Sequence, residues 1–564
     1  MHGSGTTQLP EVHFFMAQVR ASISKLSNLL HRKPLLLGVL LVFATLLLYL
    51  PVVHHEFLNR WDDNVYITGN AHVQSGLSVS GLSWAFTTLQ PFYWQPLTWI
   101  SDMVDCQLFG LNSGAHHYVN VLLHATNALL LFLLLHRATG AVWRSFFVAA
   151  LFALHPMNVE TVAWAAERKS LLNALFTLVT LATYGWYVRR PSWKRYTAVI
   201  AAFLLSLMCK PVAVTIPLIL LFVDYWPLKR YEDLPFAKRW GRLLLEKLPL
   251  ILISAGISAL TIVGESASDT VASFSVLPMS TRLENAVISY AAYVGTALWP
   301  AKLSPFYPHP FLTLGPSLPM GEVVASSLVL AGITALIYLY RARFALMGWL
   351  FFLTTLVPMI GIVQTGRFSR QDHFTYIPCI GLFILAVWGL SDAIDAMPIK
   401  RTIPIVVSLC LLTGYAAATA RYLPYWQNDV KLFGRARTVA GEPHPWLELL
   451  YGNALFDAGR TDEALEHYKE SCVLGPSDAY CHCEIANVML ARRQFRSAID
   501  EYQFALTLKP NKDLALVCLN KSAQAMLELE EYGAAEGAVA DALRIDPTNA
   551  TALSLRGQLL DRRK

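Results

Sequence analysis

Charge is scarce in this sequence: Asp, Glu, Lys and Arg make up 15% of 564 residues, against 55% apolar residues and a mean hydropathy of +0.42. That balance excludes a purely soluble protein of this size and predicts a polytopic membrane protein with something soluble attached. A concentrated basic face is absent as well. The net charge of +6 conceals an uneven distribution, because residues 442–564 hold 13 Lys/Arg against 19 Asp/Glu and leave a surplus of +12 on the rest. Most of that surplus lies in short clusters beside apolar runs, the pattern of cytoplasmic loops, which sets nucleic-acid binding aside. The eight cysteines include no pair at metal-ligand spacing, so no metal site is read from them. Cys106, Cys209, Cys379 and Cys410 are scattered, whereas Cys472, Cys481, Cys483 and Cys518 cluster near the C-terminus. An oxidising compartment would allow a disulfide among the clustered four, with the pairing left open.

The first apolar run is not expected to be a cleavable leader. The first apolar run, residues 35–53, is too long for a signal h-region and ends Pro51-Val52-Val53-His54-His55 with no small-residue cleavage site. Residues 1–33 are therefore expected in the cytoplasm, with Arg20, Lys25, Arg32 and Lys33 ahead of a retained first helix. Residues 54–117 then form an external loop whose amphipathic stretch Trp94–Leu108 lies along the interface. Further spans fit residues 118–135, 143–156, 170–188, 196–209, 212–228, 248–264, 322–340, 345–364, 376–391 and 402–420. Residues 284–298 are taken to lie flat inside a second external loop, 265–321, which keeps the Arg341/Arg343 cluster cytoplasmic. The total of about eleven spans is odd, so the C-terminal region is expected on the external, periplasm-like side.

The pattern changes at the end of the chain. After a linker at 422–442, Gly452, Ala486 and Ala523 align with Ala464, Ala498 and Ala535 and with Pro476, Pro510 and Pro547, at intervals of 34 and then 37 residues. A period of 34 with small residues at fixed places is that of tetratricopeptide repeats, an α-solenoid of helix pairs. The longer interval predicts about three extra residues after Pro510, in a turn or at the next helix start. The fold class is thus all-α: a membrane helical bundle over 34–421, then about three repeats and a capping helix over 443–564.

Charged residues recur at the helix ends that this topology puts outside. Asn59-Arg60-Trp61-Asp62-Asp63-Asn64 follows the first span, His155, Glu160, Glu167, Arg168 and Lys169 crowd the turn between two spans, and Lys210 opens another hairpin. Cations beside carboxylates at a membrane surface suit a phosphate-bearing lipid, with Arg bidentate and Lys a point charge. The competing view is an interfacial salt-bridge network that only seats the helices, with Trp61 and Tyr66 as interface anchors.

The same segments carry a resemblance. Trp61-Asp62-Asp63, Trp94-Gln95-Pro96-Leu97-Thr98-Trp99, Asp105-Cys106-Gln107-Leu108-Phe109-Gly110, His155-Pro156 with Glu160 and Trp164, Glu167-Arg168-Lys169, Lys210-Pro211 and Asp224-Tyr225-Trp226-Pro227-Leu228 resemble the transmembrane and tetratricopeptide-repeat-containing O-mannosyltransferases and their bacterial relatives. The resemblance implies a type-C glycosyltransferase membrane fold, a polyprenyl-phosphate sugar donor and an acidic motif in the first external loop that carries catalysis. One departure stands at Gln371-Asp372-His373-Phe374, where relatives tend to carry Ala-Asp-Arg-Tyr; Arg367 or Arg370 would have to supply the missing cation.

The expected chemistry is transfer of a mannose-like sugar to a hydroxyl, such as Ser/Thr of a protein. It needs a base for the acceptor and cations for the leaving phosphate. Asp62, or failing it Asp63, is the candidate base; Arg168, Lys169, Lys210 and His155 are the candidate phosphate ligands; Glu160, Glu167 and Arg367 support them. No cofactor is assigned, although Asp62 and Asp63 could alternatively hold a divalent cation. The repeats offer a groove for a polypeptide acceptor or partner protein. Two other function classes compete: a membrane-anchored repeat scaffold for envelope assembly, and a lipid-linked glycan polymerase or flippase.

Overall fold

A helix in a lipid environment must satisfy every backbone group within itself, and the long apolar runs of this chain do so. The computed structural model describes residues 34–89, 93–267, 272–310, 318–398, 400 and 402–562. Among them the only sheet is a two-stranded antiparallel ribbon, Tyr307–Pro308 with Phe368–Arg370. The chain divides into two compact units between Asn428 and Asp429. That boundary falls inside the segment read as a linker, where residues Asp429–Ala440 form a helix of the second unit. The expectations for residues 1–33 lie outside the described residues.

Among the described residues of the first unit six helices are long and apolar enough to cross a membrane: Pro34–His54, Ser113–Thr139, Ala165–Arg189, Phe236–Ser266, Met320–Tyr340 and Thr402–Trp426. A seventh span results if the pair Val142–Leu154 and Pro156–Ala163, bent by 50°, is counted as one. The other expected spans are shorter helices, among them Trp193–Leu207, Pro211–Tyr225 and Arg343–Met359, so length and composition support fewer than the about eleven read from hydropathy. Met320–Tyr340 buries only Ile337 and exposes Leu328, Leu336 and Leu339, a surface suited to lipid tails. Elsewhere small residues let backbones meet. A Cβ on Gly348 would stand 2.5 Å from the Gly381 carbonyl and one on Gly381 2.3 Å from the Gly348 carbonyl, so the Arg343–Leu356 and Cys379–Asp395 helices cross at a glycine pair. Gly114 does the same for the start of the first loop, where an added Cβ would lie 2.2 Å from the Val53 carbonyl.

The first loop is a chain of capped short helices. Asn70, Ser78 and Asn112 each accept from the backbone N–H three residues on. The amphipathic stretch becomes the Pro96–Phe109 helix, tied to the Lys210 turn by Leu97 N–H to the Met208 carbonyl (3.1 Å) and Thr98 Oγ1 to the Cys209 carbonyl (3.0 Å).

The Arg168–Arg189 helix carries charged groups at both ends. Lys169 and Tyr184 are about 22 Å apart along its axis. At the Tyr184 end, Asp224 of the Asp-Tyr-Trp-Pro-Leu segment pairs with Lys247 and with Arg230 (3.3 Å), which also contacts Glu246 (2.8 Å). Two acids thus meet two bases, as burial requires.

The second unit consists of helices Asp429–Ala440, Pro445–Asp457, Thr461–Leu474, Ala479–Ala491, Phe495–Thr507, Lys512–Glu528, Tyr532–Ile545 and Ala550–Arg562. Its repeat units are antiparallel pairs. Gly452 is small because a Cβ there would sit 2.6 Å from the ring of Tyr468, whose hydroxyl donates to Asn453 (2.8 Å). Tyr502 and Asn487 repeat that bond one unit later (2.6 Å). The longer third interval is an extra helical turn: Lys512–Glu528 has 17 residues where Pro445–Asp457 and Ala479–Ala491 have 13.

Candidate active site

Proline breaks build the site. Pro156 cannot donate a backbone hydrogen bond, so the helix before it ends at Leu154 and the chain turns through two short 3-10 segments, Pro156–Asn158 and Ala165–Glu167, before the Arg168–Arg189 helix begins. Residues 155–169 thus form a bent, buried turn between the Val142–Leu154 and Arg168–Arg189 helices. Each break frees backbone N–H groups that need partners. Asp63, fully buried, supplies them: its carboxylate accepts from Ala166 N–H (2.9 Å) and from Leu58 N–H (2.8 Å), tying the first loop to this turn across a hundred residues of sequence.

Asp62 beside it is only partly covered, and its carbonyl accepts from Val65 and Tyr66 as the chain enters a π-helical turn. Burial among apolar groups pushes the Asp62 carboxyl above its ordinary value, with Lys169 and Lys210 pulling it down and Glu167 pushing it up. Those three groups are themselves in contact with one another or with Ser170 and Tyr66. Lys169 Nζ lies 3.0 Å from Glu167 and 4.2 Å above the ring of Tyr66. Lys210, held extended by the proline that follows it, places Nζ 2.9 Å from Ser170 Oγ and 3.4 Å from Glu167. Burial lowers the affinity of Lys210 for its proton, and Glu167 opposes that.

His373 closes the cluster from the far side. Its Nδ1 is 2.8 Å from Glu160 and its Nε2 3.6 Å from Glu167, while Glu160 also accepts the N–H groups of Asp372 (3.0 Å) and His373 (3.2 Å). Burial pushes the His373 imidazole down to about 3, so it is neutral at pH 7. Asp372 receives the Tyr307 hydroxyl (3.1 Å), over whose ring Arg370 lies at 4.1 Å, and burial raises the carboxyl to about 7. The two-stranded ribbon thereby brings the Pro-rich Phe306–Pro310 segment to the site. Trp61, Trp164 and Phe306 form an aromatic wall there, with centroids 5.9 Å and 6.1 Å from Trp61.

A small pocket of about 20 Å³ lies beside Lys210 and His373. Its lining mixes polar groups, among them Ser170, Asn173, Thr177, Lys210 and His373, with apolar ones such as Ile216, Ile219, Met359, Phe374 and Ile377.

Two expected phosphate ligands are elsewhere. Arg168 is 1% exposed and pairs with Asp105 (2.7 Å), with further bonds to Asn120, Ser101 and the His116 carbonyl, because it starts its helix one residue from Lys169 and so faces another side. His155 is fully buried; its Nε2 contacts the Ala297 carbonyl (3.0 Å), its Nδ1 accepts from Met157 N–H, and its ring packs on Phe383 and Tyr415. Arg367 contributes its carbonyl to His309 N–H on the loop leading into the ribbon. Asp372 and His373 were absent from the sequence-derived list; the only signal was their place in the departing Gln-Asp-His-Phe segment.

A tetratricopeptide-repeat family model matches residues 452–492. Protein O-mannosyl-transferase TMTC3 of Mus musculus is 21% identical over 451 residues, 74% of this chain and 48% of the relative. TMTC1 of Homo sapiens is 24% identical over 519 residues, 78% of this chain and 55% of that one. The chain is a relative of the TMTC proteins. It spans about half the length of these curated TMTC relatives. Tmtc1 of Drosophila melanogaster is 29% identical over 122 residues. The Arabidopsis OM64 TPR domain aligns with 21% of this chain at 22% identity and a TM-score of 0.20. This chain joins helices of membrane-spanning length to a tetratricopeptide repeat.

Proposed function

We propose that this TMTC relative is a type-C-like membrane glycosyltransferase that moves a mannose-like sugar from a polyprenyl phosphate to a hydroxyl, such as Ser/Thr of a protein. The observation that carries the reading is the cluster of Lys169 and Lys210 on Glu167, whose charges act on Asp62. The two ammonium groups suit the phosphate of a lipid donor. Asp62 removes the acceptor proton, the acceptor oxygen bonds to the anomeric carbon, and the sugar–phosphate bond breaks. Lys210 and Lys169 then hold the charge that grows on the departing polyprenyl phosphate. Glu167 holds both lysines in place, and neutral His373 links it to Glu160.

Asp63 has a separate task. Both of its oxygens already accept backbone N–H groups, which favours the base reading of Asp62 over a divalent cation shared by the pair. The site faces the external side, and the repeats take up the polypeptide acceptor or a partner protein. The reading is tested by incubating the purified protein with polyprenyl-phosphate mannose and Ser/Thr peptides and following peptide mass. Gain of one hexose that depends on the donor supports it; intact peptide with donor unconsumed over a panel of acceptors and lipid-linked sugars overturns it.

A further inference from the structure

The repeat unit carries four cysteines, and the structure joins two of them, Cys472 and Cys481. The other two are not idle. Cys483 and Cys518 are 1% and 0% exposed, and their Sγ atoms lie 2.9 Å apart. We propose that Cys483 and Cys518 form a second disulfide, one that staples the Ala479–Ala491 helix to the Lys512–Glu528 helix of the next repeat.

Helix geometry separates the two bonds. Cys481 and Cys483 are two positions apart on one helix, about 200° around its axis, so they face opposite neighbours. Cys481 turns to Cys472 on the preceding Thr461–Leu474 helix; Cys483 turns to Cys518 on the following repeat. Exchange between the pairs would require a helix to rotate, so each cysteine has one partner. The remaining distance is small: the sulfurs must approach by about 0.9 Å to reach bonding length, a movement within the reach of side-chain rotation. Around them Ala479, Ala486, Ala498, Tyr502, Ala505 and Leu514 are buried in the same core cluster, which holds the two sulfurs side by side.

Burial also fixes when the bond forms. Both thiols are sealed once the repeats stack, and burial together with the neighbouring thiol holds Cys483 protonated. The reaction therefore belongs to folding, before the two repeats close. The Cys483 thiolate attacks the disulfide of an external dithiol oxidant, forming a mixed disulfide. The Cys518 thiolate then displaces the oxidant, which leaves as a reduced dithiol. Two protons are lost from the protein and two electrons pass to the oxidant. The consequence is structural. A repeat array is held only by contacts between neighbours, and a covalent bond spanning 35 residues fixes the angle between repeats and so the curvature of the groove.

The test uses the full-length protein isolated without reductant, quenched in acid, alkylated with N-ethylmaleimide under denaturing conditions and digested. The expected result is a linked Cys483–Cys518 peptide pair, lighter by two hydrogens than the free peptides, together with linked Cys472–Cys481. Maleimide on both Cys483 and Cys518, or a linkage of either to Cys481, overturns the proposal. A second measurement uses the full chain carrying Cys472→Ser and Cys481→Ser. Dithiothreitol should lower the melting temperature of its repeats by roughly 10 °C; an unchanged value overturns the proposal.

Discussion

Asp62 and Asp63 are neighbours of the same type, and the structure gives them opposite tasks, so their amide variants should fail in different ways. In Asp63→Asn one of the two oxygens that accept the Leu58 and Ala166 N–H groups, at 2.8 Å and 2.9 Å, becomes an NH₂ facing a backbone donor. At zero exposure water cannot mediate, so one backbone N–H and the new amide are both stranded. Each buried unsatisfied group costs about 1–3 kcal/mol, giving a loss of about 2–6 kcal/mol. Asp62→Asn should cost far less, because Asp62 is only partly covered. Thermal unfolding in detergent, followed by fluorescence of the 15 tryptophans, reads the difference. A fall of roughly 10 °C is expected for Asp63→Asn, with Asp62→Asn close to wild type. Equal melting temperatures for Asp63→Asn and wild type would refute the division of labour.

Other variants separate structure from chemistry in the same way. Arg168→Ala leaves Asp105, 4% exposed, without its cation; a loss of about 3–5 kcal/mol should appear as low yield on size-exclusion chromatography, while the surviving protein binds donor normally. Lys210→Ala should reduce binding of a polyprenyl phosphate at least tenfold by a lipid-displacement assay, with Lys169 still paired to Glu167; unaltered binding would remove Lys210 from the donor site. Gly452→Ala drives a methyl into the buried Tyr468 ring, and a loss of about 1–3 kcal/mol should show as faster proteolysis within the repeats. His373 titrates near 3 against an ordinary 6.5, so its folded form resists protonation. Its contribution is present above pH 6.5 and lost as pH falls toward 3. His373→Gln should therefore flatten the decline in melting temperature between about pH 6.5 and 4.5 relative to wild type.

Periodicity and helix breaks made much of this legible in the sequence. The repeat offsets located every helix pair, and the 37-residue interval registered the extra turn in Lys512–Glu528. Asp62, Glu160, Glu167, Lys169 and Lys210 were found because prolines and loop boundaries set them at helix ends, and the structure brings them to one cluster. What escaped is rotational. Nothing in the order Glu167-Arg168-Lys169 says that the arginine faces Asp105 while its neighbours face Lys210. His155 escaped for the same reason, since its partner is a carbonyl 142 residues away. Of the expected spans, six are long apolar helices among the described residues, and others, such as Pro211–Tyr225 and Arg343–Met359, are shorter ones whose crossing hydropathy alone does not decide. Asp372 and His373 registered only as a departure from a familiar pattern, since their meaning depends on Glu160, far off in sequence.

The most direct test of the proposed chemistry is the initial rate of sugar transfer from polyprenyl-phosphate mannose to a Ser/Thr peptide by Asp62→Asn and wild type, compared at equal melting temperature and equal donor binding. The amide keeps the shape of the side chain but cannot take up the acceptor's proton. General-base assistance is worth about a hundred- to ten-thousand-fold, so a loss of that order in rate, with donor affinity unchanged, is the expected result. A wild-type rate in the Asp62→Asn protein would contradict it.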